Sequence, residues 1–129
     1  MLERITPQNH HAATGYAHAV KAGNLLFISG QTGRNVDRSL VAPGDIAAQT
    51  RRALENIATV LEAGGGTWAD VAKLTIYLTD MRFLPRVREV RAAFFAEQGV
   101  EPPAITSVGV TGLATDDTLV EIEAIAVLQ

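Results

Sequence analysis

The segment Thr118–Leu128, TLVEIEAIAVL, constrains the fold more than any other stretch of this chain. It alternates in character, and side chains alternate between the two faces of a β-strand. Val120, Ile122, Ala124, Ala126 and Leu128 share one face, which is apolar throughout. Leu119, Glu121, Glu123, Ile125 and Val127 share the other, where two acids are followed by two aliphatics. The pattern predicts a sheet with one face on a core and a second face of mixed character.

The rest of the chain supplies the cover for the apolar face. Ile46, Thr50, Ala53, Leu54, Ile57, Ala58 and Leu61 recur at helical spacing and predict a helix over Asp45–Ala63. Asp45 is placed to cap its start, and Gly64-Gly65-Gly66 ends it. Thr67 and Asp70 then have the spacing of a capping box, with Asp in place of Glu. A second helix is predicted over Leu84–Gln98, with Leu84, Val87, Val90, Arg91, Phe94 and Phe95 near one side. Pro85 fits its first turn and Gly99 stops it.

Strands are predicted at Tyr16–Val20 and Leu25–Gln31 around the turn KAGN, at Val71–Thr79, at Ala104–Val110 and at Leu119–Leu128. In Val71–Thr79, Ala72, Leu74, Ile76 and Leu78 share one face. The predicted order is β-β-α-β-α-β-β, an α+β layer in which two helices cover one face of one sheet. The second face then has no cover within the chain. Two readings stay open for it: solvated surface, or a face that meets a neighbouring subunit with a polar cleft at one end.

The 129 residues suit a single domain over 1–129, and 47% hydrophobic with 19% charged residues is ordinary for a globular protein. A net charge of −3 favours neither nucleic acid nor an anionic membrane. The chain has no cysteine, which excludes disulfides and thiol nucleophiles and removes the usual ligands of structural zinc. The first residues lack a basic-then-apolar leader and no apolar run is long enough to span a bilayer, so the expected location is cytoplasmic.

His10 and His11 are adjacent, and neighbours in an extended chain point opposite ways. With His18 they make a poor chelate, and no metal is expected. The GGG segment closes a helix and is not followed by Gly-Lys-Ser/Thr, unlike a phosphate loop. Ser29 lacks a Gly-x-Ser-x-Gly setting.

Several segments together carry a family likeness: YAHAV, GNLLFISGQTG, DIAAQTRRALENIATVLEAGGGTWADVAKLTIYLTDM, the FF pair, PPA and EIEAIAV. From about Ala13 to Val127 the chain resembles the Rid family, the reactive intermediate deaminases, also known as YjgF-type or liver perchloric-acid-soluble proteins. The resemblance implies a chorismate-mutase-like fold and a homotrimer whose sheets face a central barrel-like core, with clefts between subunits. It implies hydrolysis of small enamines or imines to carbonyl compounds and ammonia, with no cofactor. By the same resemblance Tyr16 and Gly30 line the cleft, and Glu121 positions and activates water.

The chain departs from the family at one decisive place. Members typically read Pro-Ala-Arg-Ser-Cys-Val, with the arginine gripping the substrate carboxylate; here the segment is PPAITSV, and Ile105 stands in that place. Thr106 and Ser107 occupy the next two positions, and Arg88 replaces a typical asparagine six residues before FF. Isoleucine offers none of the charge-assisted hydrogen bonds of a guanidinium. The expected substrate is therefore a small imine or enamine other than a standard 2-imino acid, unless Arg88 supplies the cation from another direction. The expected pocket is Tyr16, Gly30, Arg88, Ile105, Thr106 and Ser107 around Glu121. A non-catalytic trimer that binds a small molecule is the rival reading. Members have also been described as ribonucleases or translation inhibitors; an acidic chain with no basic stripe gives that reading no physical support.

Overall fold

The computed structural model describes the whole chain, Met1–Gln129. Its strands are β1 (Leu2–Ile5), β2 (Ala19–Ala22), β3 (Leu25–Gln31), β4 (Val71–Leu78), β5 (Ala104–Gly109) and β6 (Val120–Val127). Its helices are α1 (Ile46–Ala63) and α2 (Leu84–Gln98), with short 3-10 turns at Trp68–Asp70 and Met81–Phe83. One six-stranded sheet runs in the order β1-β2-β3-β6-β4-β5. Every pairing is antiparallel except β4 with β5, which α2 joins as a crossover.

The local signals explain these elements. The Asp45 carboxylate accepts the Ala48 N–H and caps α1, and Gly65, at φ 87°, reverses the chain behind it. Thr67 and Asp70 form the reciprocal capping box. Gly99, left-handed at φ 68°, ends α2. Leu54, Ile57, Val60 and Leu61 of α1 and Val87, Phe94 and Phe95 of α2 pack on Leu26, Ile28, Leu74, Ile76, Val120, Ile122 and Ala124 of the sheet. Trp68 closes one end, edge-on to Phe94 and Phe95 at 5.3 and 5.5 Å between ring centroids.

β6 alternates between buried and half-exposed residues along its whole length, as its sequence pattern requires. Glu121, Glu123, Ile125 and Val127 lie on the face without helices. Ile125 pairs with Phe27 and Val127 with Leu25, and Phe27 stays 43% exposed.

Three sequence expectations are corrected. A further strand, β1, precedes the expected first one. Glu3 and Arg4 break its apolar pattern, and it is held as a short edge strand by antiparallel pairing with β2. β2 begins at Ala19 and not at Tyr16, because β3 leaves its register between Ile28 and Gln31 and the chain before Ala19 bends away. In β4 a bulge between Val71 and Lys73 turns Val71 into the core and leaves Ala72 exposed.

Candidate active site

The β3 irregularity builds the site. At Ser29–Gly30 the strand swells opposite β6, and the Glu121 side chain lies over Gly30. A β-carbon on Gly30 would sit 2.6 Å from the Glu121 carboxyl carbon, so only glycine leaves the carboxylate its place. Glu121 is half-buried, and burial followed by the charge of Glu123 raises its pKa above the ordinary glutamate value. Glu123, two residues along the same face, accepts a hydrogen bond from the Tyr77 hydroxyl.

Around Glu121 lies a cavity of about 600 Å³. Its walls include Tyr16, Ser29, Gly30, Thr32 and Thr115, with Arg34 and Arg38 from the loop that follows β3. The loops are held by the polar residues of α1. Gln49, fully buried, donates to the carbonyls of Ala42 and Asp117 and accepts the Leu119 N–H. Asn56 donates to the carbonyls of Thr32 and Arg34. Arg34 reaches across to the Thr115 and Thr118 hydroxyls at 2.7 and 2.8 Å. The helix that covers the core thus also fixes both lips of the cavity.

Three histidines stand at the cavity, His11 in its wall, and here the extended-chain expectation fails. The rings of His10 and His11 turn toward each other and toward His18, with centroids 4.1 to 5.0 Å apart. The chain bends at these residues, so alternation does not apply. Their hydrogen bonds fix the tautomers. The His11 N–H donates to His10 Nδ1, which leaves the His10 proton on Nε2, donated to Gln31 Oε1 at 2.6 Å. The Gln31 amide then donates to His18 Nδ1, and His18 Nε2–H donates to the His11 carbonyl at 2.7 Å. The ring of bonds is closed and needs both buried imidazoles neutral. Burial lowers the pKa of each. These three residues are the one cluster with metal-ligand spacing, and a metal there would have to displace those bonds.

The residues expected in the pocket divide into two groups. Tyr16, Gly30 and Glu121 share the cavity. Ile105, Thr106 and Ser107 lie on the edge strand β5, and Arg88 is exposed on α2, away from the cavity walls. Ile105 pairs with Leu74 and Ser107 with Ile76, which sets both side chains on the helix side of the sheet. Glu121 pairs with Tyr77 on the opposite side. Arg91 of α2, half-buried and without an acidic partner, is the cation beside Ser107, its Nη1 3.4 Å from the hydroxyl. Arg34 and Arg38 were not anticipated as cavity residues. Arg38 stands at a left-handed position where glycine or asparagine is customary, and no local pattern marks Arg34.

The profile of the endoribonuclease L-PSP family matches residues 6–128. The chain belongs to this family, the Rid or YjgF-type proteins. It is 44% identical over 127 residues to a RutC family protein of Pyrococcus horikoshii, covering 98% of each chain. It is 38% identical over 128 residues to the 2-iminobutanoate/2-iminopropanoate deaminase of Escherichia coli K12, again covering 98% of each. Among solved structures it is similar to E. coli TdcF with bound serine, with a TM-score of 0.90, 33% identity and coverage of 98% and 99%. Imine deaminase activity is thus present among named Rid relatives, and the α+β sheet with its two helices is the family's fold. No helix of this chain is long and apolar enough to cross a membrane.

Proposed function

We propose that this Rid protein hydrolyses a small imine or enamine to a carbonyl compound and ammonia, with Glu121 as the catalytic residue. The observation that carries the reading is the Glu121 carboxylate itself: half-buried, raised in pKa and laid over Gly30 in a cavity of substrate size. A raised carboxylate exchanges protons with water and nitrogen more readily near neutral pH.

The steps balance with this one group. A proton from solvent, added at the imine nitrogen or at the enamine carbon, first gives an iminium ion. Glu121 removes a proton from water as the oxygen attacks the iminium carbon, forming a carbinolamine. Glu121 returns that proton to the amino nitrogen, which leaves as ammonia while the hydroxyl oxygen forms the carbonyl and releases its proton. The net change is imine plus water to carbonyl plus ammonia. Tyr16 lines the approach. The named activity of the E. coli relative supports the reaction class.

The reading includes a homotrimer with its sheets facing inward and clefts between subunits. Leu25, Phe27 and Val108 are 37%, 43% and 37% exposed on the sheet face without helices, where a partner would cover them. Ile105 and Ser107 face the helix side of an edge strand while Glu121 faces the other. A cleft that holds all three must draw them from two copies.

The test is ammonia release from imines generated in situ, some carrying a carboxylate and some not, by wild type and Glu121→Ala. Acceleration that disappears in the variant is expected. A folded trimer that accelerates none of them would overturn the deaminase reading and favour a ligand-binding role.

A further inference from the structure

We infer that Arg38 is the counter-ion that holds an anionic substrate in the Glu121 cavity, a task this chain's Ile105 cannot perform. The inference rests on the reading of that cavity as the site of hydrolysis.

Arg38 is the one non-glycine residue of the chain with a left-handed backbone, at φ 74°. It closes a tight turn. Its N–H donates to the Asn35 carbonyl at 2.9 Å, and the Asn35 N–H donates to the Ser39 carbonyl at 2.8 Å. An L-residue with a β-carbon is strained in this conformation, and glycine is not. Strain of this kind concentrates at sites of function. Here it aims a guanidinium back over the cavity. Nη2 of Arg38 donates to the Ala12 carbonyl at 2.5 Å and to Thr14 Oγ1 at 3.3 Å, which ties the turn to two further cavity residues. Nε–H and Nη1 have no protein acceptor.

The charge on Arg38 is also unmatched. Arg34, its neighbour in the cavity, sits 3.7 Å from the Asp117 carboxylate and has both terminal nitrogens occupied by protein acceptors. Arg34 is a positioning residue: its Nη1 donates to the Arg38 carbonyl and helps hold the left-handed turn. Arg38 pairs with no carboxylate, and neither arginine forms an ion pair with Glu121, the one acid of the cavity wall. The cavity therefore presents a positive group with free donors and, apart from it, a carboxylate able to carry a proton. A substrate with a carboxylate at one point and a C=N group at another matches both. A neutral imine matches only Glu121. An exposed arginine that merely faced water would need neither the strained turn nor the anchoring to Ala12 and Thr14.

The probe is 2-oxobutanoate, a stable keto acid with the carboxylate and carbonyl of a hydrolysis product, titrated by calorimetry against 2-butanone as its neutral counterpart. The proteins are wild type, Arg38→Gly, Arg38→Lys, Arg91→Gln and Glu121→Gln. Arg38→Gly suits the left-handed backbone, so loss of binding in a cooperatively melting protein reports the lost guanidinium. Binding of 2-oxobutanoate should weaken about tenfold or more in Arg38→Gly, recover in part in Arg38→Lys, and be retained in Glu121→Gln. It should stay within about twofold of wild type in Arg91→Gln. Butanone should be indifferent to position 38. Unchanged keto-acid binding in Arg38→Gly would overturn the inference, as would loss of binding through Arg91→Gln alone, or no keto-acid binding by wild type. The outcomes separate from those of the hydrolysis assay: a keto acid held through Arg38 by a protein that releases no ammonia would remove the deaminase and leave the anchor.

Discussion

The Glu121 carboxylate lies across the bare Cα of Gly30, at a distance that no side chain could share. Gly30→Ala therefore tests what this contact is for. The atoms in the way are the flexible end of Glu121 and not backbone, so Glu121 should swing aside at a cost of about 1 kcal/mol. Removing a glycine stiffens the unfolded chain by a similar amount, about 0.4–1 kcal/mol. The thermal midpoint should barely move. On the proposed mechanism ammonia release should fall by about tenfold or more, because a displaced carboxylate would no longer meet the attacking water. A variant with wild-type turnover would show that the placement of Glu121 over Gly30 has no catalytic meaning.

The pH dependence of activity should follow Glu121. Burial raises its pKa and the neighbouring Glu123 raises it further. The acid limb of the rate profile should lie above the ordinary glutamate value of about 4.3. Glu123→Gln removes the like charge and keeps an acceptor for Tyr77, so the limb should move to lower pH. Stability carries the same sign. With its folded pKa above its unfolded one, Glu121 contributes fully at low pH, and the contribution is lost as pH rises through the folded value. Glu121→Gln should accordingly be the more stable protein at pH 7 and lose its advantage in acid. A limb that stays in place in Glu123→Gln would rule out Glu121 as the group being titrated.

Much of this arrangement is legible in the chain, and the boundary has physical causes. Helix caps and strand alternation are local, so Asp45, Thr67, Gly99 and the two faces of β6 stand where the pattern sets them. The family segments likewise lead to Tyr16, Gly30 and Glu121, which the structure brings to one cavity. What escapes is non-local or depends on departures from regular backbone. The bulge at Val71 reverses the facing of Ala72. The bend at the histidines makes neighbours of rings that alternation would separate. Arg34 enters the cavity from a segment held by Asn56, 22 positions away in sequence, and Arg38 enters it from a left-handed turn. The side of β5 taken by Ile105 follows from its register with Leu74, which no run of residues declares.

The histidine ring should make the fold acid-sensitive. His10 and His18 are buried, and burial lowers their pKa below the ordinary value of about 6.5. A lowered histidine contributes stability that is fully present above the unfolded value and lost as pH falls from there through the folded one. Protonation also puts a proton on His10 Nδ1 against the His11 N–H, breaking the ring at a cost of about 1–3 kcal/mol for each unsatisfied group. The groups facing the pair are His11, Gln31, Tyr16 and Arg38, none of them acidic, so no carboxylate would receive the new charge. Urea midpoints should drop between pH 7 and pH 5 in wild type and drop less in His18→Gln. Parallel curves for the two proteins would mean that the acid sensitivity arises elsewhere.

Assembly should depend on Phe27. The residue lies on the sheet face opposite the helices, beside Ile125 and Val20, and is 43% exposed in the single chain. Covering a side chain of this size contributes about 1.5–3 kcal/mol per copy, and a charge placed there would be desolvated without a partner. Phe27→Glu should therefore dissociate the proposed trimer while the monomer keeps its circular dichroism, since Phe27 is no part of the core. Light scattering after size exclusion reads the mass of each species. Because Ile105 and Ser107 face away from Glu121 within one chain, the dissociated protein should also lose activity at concentrations where its fold is intact. A wild-type monomer, or an assembled Phe27→Glu with full activity, would refute the intersubunit cleft.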